Sequence, residues 1–202
     1  DAITSNIDKS GDIKDIEVAG AGFINFYLAP DWLYRTMESI EKEGSDYGKI
    51  DLGKGKKVMV EFVSANPTGP MHMGNARGGA LGDCLASVLE YAGYDVTREF
   101  YINDAGNQIE KFGKSLSARY IQQLKGEDAI EFPEDGYQGG DITEHAKEFI
   151  KLYGDKYLDC GEDERKQALI DYALEKNISA LKTDLEKYRI NYDVWFRESL
   201  LH

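Results

Sequence analysis

The sequence predicts an α/β protein, and three observations carry that prediction. The apolar run Val58-Met59-Val60-Glu61-Phe62-Val63 has the β-branched character of a strand buried on both faces. It leads through Pro67-Thr68-Gly69-Pro70 into a helical pattern in which Ala76, Ala80, Leu81, Cys84, Leu85, Val88, Leu89 and Ala92 share one face. A second strand-like run, Val96 to Ile102, follows Gly93. Strand–helix–strand order requires a crossover, so these strands should be parallel and the unit a right-handed βαβ.

The elements follow in chain order. Residues 1–18 alternate apolar and charged residues loosely, and Phe23 to Leu28 reads as a strand ended by Pro30. Asp31 is the expected N-cap of a helix from Trp32 to about Glu43, with Leu33, Met37 and Ile40 at helical spacing and Gly44 as the stop. Residues 45–55 hold three glycines and read as a connector. In the helix after the Pro/Gly turn, Gly78, Gly79 and Gly82 each weaken an isolated helix by about 1 kcal/mol relative to alanine. Close approach of that helix to a sheet or ligand explains them better. Gly93 is its C-terminal stop.

Residues 104–123 look helical, and 124–140 form an acidic, turn-rich loop or domain edge. Two more helical patterns follow. Ile142 to Leu158 aligns Ile142, Ala146, Phe149, Ile150 and Tyr153; Arg165 to Tyr188 aligns Leu169, Tyr172, Ala173, Leu181, Leu185 and Tyr188. A new strand set is expected to start near Tyr192.

A chain of 202 residues can bury a real core and fits one or two domains. It contains no run apolar and long enough to span a membrane, and no secretory start. It begins with Asp and stops at Leu200-Leu201-His202, which reads as a piece of a longer protein. Cys84 and Cys160 stand far apart without paired spacing, which favours a reducing compartment, here the cytoplasm, and argues against a zinc site. Net charge −13 argues against broad, nonspecific nucleic-acid affinity, though a local patch can still read an RNA end. Lys54, Lys56 and Lys57 are read as a solvated strand entrance.

The chemistry concentrates at residues 61–77. Strand C-termini facing a helix N-terminus make anion sites, because the first helical N–H groups are unpaired and the dipole is positive there. His72 and Asn75 sit where that helix begins. Ser64, Ala65 and Asn66 end the strand, and Asn103-Asp104 ends the next one. From the residues alone, His72 is a phosphate donor or a turn histidine, Asn75 a ligand or a helix cap, and Asn66 a ligand or a turn former before Pro67. Asp104 is either an N-cap on the following helix or a second wall of the crevice. Arg77 stays undecided, and His145, in a charged helical pattern, is expected to face solvent.

His72-Met73-Gly74-Asn75 resembles the His-Ile-Gly-His motif of class I aminoacyl-tRNA synthetases. Glu61 to Pro70 and Tyr101-Ile102-Asn103-Asp104-Ala105-Gly106 are similar to arginyl-tRNA synthetases in particular. Ala19 to Phe26, and Asp193-Val194-Trp195-Phe196 with Glu198-Ser199, extend the resemblance in the family's order. It implies a Rossmann-like nucleotide-binding half with a helical insertion, preceded by the end of an α+β N-terminal domain. The implied division is 1–30 N-terminal tRNA-binding domain, 31–56 helix and connector, 57–111 first catalytic half, 112–180 insertion, and 181–202 return to the catalytic domain.

The resemblance also implies roles. His72 would donate to phosphate oxygens of ATP, and Gly74 would admit adenine against the backbone. Asn75, where the family usually has a second histidine, would bond ATP or amino acid without a positive charge. Ser64, Ala65 and Asn66 would hold the amino acid. Glu61 would meet its cationic charge or orient the loop. Asn103 and Asp104 would contact the tRNA end, and Asn25 could touch tRNA. The implied partners of a monomeric ligase are ATP with Mg2+, L-arginine and tRNA(Arg), with no metal bound by the protein itself. No Lys-Met-Ser-Lys-Ser-like loop occurs, so the 202 residues alone are expected to form no arginyl-adenylate. The cysteinyl relatives would show zinc-ligand cysteines, absent here. A noncatalytic nucleotide- or RNA-binding module, or a helical interaction domain over 142–188, are the rivals from other classes.

Overall fold

A computed structural model describes residues 2–9 and 11–201, which divide into two compact units at Ile50/Asp51. In the first unit, helix α1 (Ala2–Asn6) precedes an antiparallel hairpin of β1 (Ile13–Ala19) and β2 (Phe23–Leu28). The turn between them needs positive φ at Gly20 (+54°) and Gly22 (+97°), which glycine adopts without a Cβ penalty. Helix α2 (Asp31–Glu43) follows and ends on Gly44, at φ +56°. Asp31 is not its N-cap. Pro30 holds that position, and Asp31 lies in the first turn, where its charge complements the helix dipole.

The second unit is α/β. Strands β3 (Lys57–Glu61), β4 (Asp95–Ile102) and β5 (Val194–Arg197) form one sheet in the order β3-β4-β5, with both pairs parallel. Lys57 faces Asp95 in register, and Glu99 faces Val194. The strand near Tyr192 therefore extends this sheet and does not begin a new one. Helix α3 (Met73–Tyr91) joins β3 to β4. Between β4 and β5 run α4 (Asn107–Lys125), α5 (Gly140–Tyr153) and α6 (Glu162–Lys187), so the helical stretch covers 107–187.

Burial departs from the sequence pattern at β3 and at α3. Strand β3 is not covered on both faces, since Met59 is 58% exposed. Nor does α3 bury its large apolar residues: Leu81 and Val88 are exposed, and Gly79, Gly82 and Ala86 face inward. Phe62 fills the space between helix and sheet, so only residues with little or no side chain fit opposite it.

The second unit has two cores. One gathers Phe112, Leu116, Tyr120, Phe149 and Leu169 from α4, α5 and α6. The other packs Phe62, Phe100 and Ile102 at the sheet against Ile178, Leu181 and Leu185 of α6. Helix α6 enters both cores, so its 26 residues tie the helical stretch to the sheet. Arg98 fastens α3 to β4, its Nε donating to Asp83 at 3.1 Å and its Nη1 to Glu90 at 2.6 Å.

Candidate functional site

The end of β3 is a strained turn. Val63 and Ser64 have φ of +67° and +40°, left-handed values that a β-branched valine avoids. Such residues cost about 1–3 kcal/mol each and persist only where their surroundings hold them. Here the Phe62 carbonyl accepts from Ser64 N–H at 3.0 Å and from the Tyr192 hydroxyl at 3.0 Å. Ser64 Oγ donates to Glu61 at 2.8 Å and accepts the Tyr101 N–H at 3.1 Å. Ser64 thus staples β3 to β4, and its hydroxyl proton is spent on Glu61.

Burial pushes the Tyr192 phenol above its ordinary pKa, with the Asp83 charge acting the same way. A raised folded pKa means a contribution that is full below the unfolded value, about pH 10, and is lost as pH rises further. Tyr192→Phe is therefore expected to cost about 1 kcal/mol at neutral pH. It should also flatten the loss of stability above about pH 10, read by urea unfolding at several pH values. An unchanged alkaline limb would show that Tyr192 does not hold the turn as described.

His72 is the N-cap of α3, in extended conformation at φ −119°. Its Nδ1 accepts the Gly74 N–H at 3.1 Å, and its own N–H donates to Asn75 Oδ1 at 3.0 Å. This reciprocal cap satisfies donors that a helix start otherwise leaves unpaired. It also sets the tautomer: Nδ1 is an acceptor, so the proton sits on Nε2, which points a donor outward from the helix start. A Cβ on Gly74 would come within 2.9 Å of the His72 ring, so glycine lets the imidazole fold back over its own helix. That is a reason for Gly74 internal to the protein, separate from any approach of adenine.

His72, Asn75, Ser64, Ala65 and Asn66 line one cleft of about 510 Å3. Its opposite wall is formed by Tyr137, Gly139 and Asp141, from the loop before α5 and that helix's first turn. Sequence reasoning missed these three, reading their region only as a turn-rich edge. The Tyr137 N–H is pinned to Ser115 Oγ of α4 at 2.9 Å, and Ser115 is fully buried, which places the wall. Nothing local in the sequence pairs residues 115 and 137. Glu61 and Gly74 stand beside the cleft and do not line it.

Asn103 and Asp104 are turned inward. Asp104 is not the N-cap of α4, a position held by Gly106. Its two carboxylate oxygens accept from the Ser199 N–H and Oγ–H, each at 2.9 Å, and its side chain is only 5% exposed. The carboxylate thereby holds the chain after β5. The Asn103 amide, oriented to satisfy its neighbours, donates to Ala105 O at 3.0 Å and Glu198 Oε2 at 2.6 Å.

His145 does not face solvent either. It is half-buried on α5, and its Nε2 lies 2.8 Å from Asn177 Oδ1 of α6. Cys84 and Cys160 are free thiols. Among the described residues, no three His, Cys, Asp or Glu side chains are grouped to hold a metal ion, and no helix is long and apolar enough to cross a membrane.

Comparison with known proteins adds the following. Residues 36–200 match the family described as tRNA synthetases class I (R), catalytic domain. Residues 1–28 match the arginyl tRNA synthetase N terminal domain. The chain is 64% identical over 203 residues to the arginine–tRNA ligase of Ruminiclostridium cellulolyticum, and 63% identical over 201 residues to that of Acetivibrio thermocellus. These alignments cover 100% and 99% of the chain but 36% of each relative. The chain thus spans about a third of the length of the curated relatives it matches. Among solved structures, one from Campylobacter jejuni assigned as an arginyl tRNA synthetase superposes with TM-score 0.75 at 32% identity, covering 87% of this chain and 38% of that one. The Thermus thermophilus arginyl-tRNA synthetase, at 22% identity and TM-score 0.54, shares the fold over 98% of this chain and 32% of its own.

Proposed function

Given that the chain belongs to the arginyl family of class I tRNA synthetases, we propose that it supplies the first part of the active site of an arginine–tRNA ligase. The substrates are L-arginine, ATP with its Mg2+, and tRNA(Arg), and the whole protein works as a cytoplasmic monomer. The arginine carboxylate attacks the α-phosphorus of ATP, the bond to the bridging oxygen breaks, and pyrophosphate leaves. A ribose hydroxyl at the 3′ end of tRNA then attacks the arginyl carbonyl, the acyl–phosphate bond breaks, and AMP leaves.

Negative charge gathers on the α-phosphoryl oxygens in the first step, so positioned donors matter more than a covalent intermediate. The His72 Nε2–H is such a donor. It sits at the start of α3, whose dipole favours the same charge. Asn75 spends its carbonyl oxygen on the cap, which leaves its amide nitrogen for a phosphate or the amino acid. Asn66 and the Ala65 backbone hold the amino acid. Ser64 and Glu61 shape the turn through their hydrogen bond. With a net charge of −13, this part of the protein contributes only weak, salt-sensitive contacts to tRNA.

The observation that carries the reading is the engagement of His72 Nδ1 by the Gly74 N–H, which leaves Nε2 as the free ring nitrogen of a residue that lines the same cleft as Asn66. The test is aminoacylation kinetics of the full-length protein carrying Asn66→Ala. KM for arginine should rise about tenfold or more, with a smaller change in kcat, because one substrate hydrogen bond is lost. Wild-type KM and kcat together would refute the assignment. The isolated 202 residues should form no arginyl-adenylate, and adenylate formation by them would contradict the proposal that the site is shared with the rest of the chain.

A further inference from the structure

We propose that Asn177 and His145 are positioning residues for the turn that carries Asn66 and His72. They would act as a polar strut from the helical stretch to the active site; this rests on the site reading above. Asn177, on α6 and only 8% exposed, donates from Nδ2 to the Pro67 carbonyl at 2.7 Å. The two residues are 110 positions apart. A carbonyl can only accept, so this bond orients the amide and turns its Oδ1 toward His145. The 2.8 Å contact there is then a donation from His145 Nε2–H. The result is a one-way chain: His145 Nε2–H to Asn177 Oδ1, and Asn177 Nδ2–H to Pro67 O.

Two features argue against mere packing. First, His145 Nδ1 is buried and has no partner. An orphaned buried acceptor is a stability cost that a leucine in the same space would avoid. The polar chain is therefore kept despite its cost, as residues serving a site often are. Second, the turn supplies few hydrogen-bond donors of its own, and the buried carbonyl of Pro67 is met by Asn177. Pro67 and Pro70 lack N–H donors, and the turn lies between two clefts. The site cleft is on one side. On the other is a cleft of about 570 Å3 lined in part by Pro70, Met71, His145 and Asn177. Gly69 and Pro70 border both clefts, whereas Pro67 is fully buried and Thr68 is 8% exposed, so the bond from Asn177 anchors the buried half of a turn whose other half borders open space. Asn66 directly precedes the anchored Pro67 and His72 follows five residues later, so the strut sets the turn that spaces the two groups.

The test uses the full-length protein and aminoacylation kinetics at a temperature well below each variant's melting point. Asn177→Asp keeps the shape, removes the donor and sets two acceptor oxygens face to face at Pro67. It should lower kcat about tenfold. His145→Leu should lower it severalfold, whereas His145→Gln, whose amide nitrogen can replace Nε2, should stay within about twofold of wild type. Combining Asn177→Asp with His72→Ala should add little to the loss from His72→Ala alone, because both act through one group. Wild-type kcat in Asn177→Asp, equal kcat in the two His145 variants, or fully additive losses would each overturn the inference. If Asn177→Asp fails to fold, the two His145 variants decide. Should His72→Ala itself turn over normally, the site reading has failed. Should His72→Ala be impaired while the strut variants are not, only the strut has failed.

Discussion

His72→Asn in the full-length protein should lose about 10²–10³-fold in kcat while melting at the wild-type temperature. The two halves of this expectation come from the two ring nitrogens. Nδ1 caps α3 by accepting from Gly74, and asparagine places its Oδ1 in nearly the same position. Asparagine is also among the best N-cap residues, so the helix start survives. Nε2 has no counterpart in asparagine, so the donor proposed to meet the developing phosphate charge is lost. Removing one preorganised donor of this kind from a reacting centre typically costs a factor of that size. His72→Ala loses cap and donor together, so it should show the same rate loss plus about 1 kcal/mol of stability. Aminoacylation rates and thermal melts of both variants separate the roles. A kcat for His72→Asn within twofold of wild type would leave the histidine a cap and nothing more.

The largest expected effect on stability is at Gly82. A Cβ there would lie 2.2 Å from Phe62 Cγ and 2.5 Å from Phe62 Cβ. Phe62 cannot retreat, because it is 8% exposed and its ring sits 4.6 Å from that of Tyr192. Alanine gains about 1 kcal/mol in helix propensity, but forcing atoms into a filled core costs about 1–3 kcal/mol and more when the neighbour is held. The clash should win, so Gly82→Ala should be destabilised by about 2 kcal/mol. Because Phe62 directly precedes the strained Val63 and Ser64, the variant should also be slow below its melting point. Gly78→Ala is the control: nothing lies within 4 Å of that position, so there alanine should stabilise by up to about 1 kcal/mol. Equal effects at the two glycines would mean that helix α3 does not approach the sheet as closely as described.

The contrast between these glycines also shows how far a sequence reading reaches. Three glycines in one helix signal close approach, but not which of them makes it. A Cβ at Gly82 would meet Phe62, one at Gly79 would lie 2.9 Å from Ile190, and one at Gly78 would meet nothing within 4 Å. Apolar periodicity likewise chose the wrong face of α3. A face of small residues carries little hydropathy, although it allows the closest packing. The N-cap expected at Asp104 failed for a related reason. A carboxylate at a strand end looks available until a residue 95 positions away occupies both oxygens.

By itself the sequence determined the local chemistry: a strand, a proline-bound turn, a histidine at a helix start, and a second parallel strand. These depend on residues near one another in the chain, whose propensities and hydrogen-bonding groups act over a few positions. Only the tertiary structure decided what meets across long separations. The Tyr137 and Asp141 wall opposite His72, the bond from Asn177 to Pro67, and the phenol of Tyr192 under Phe62 are contacts of that kind. Each depends on how helices and sheet dock, which is set by side-chain shape over the whole core, and no short-range pattern encodes it.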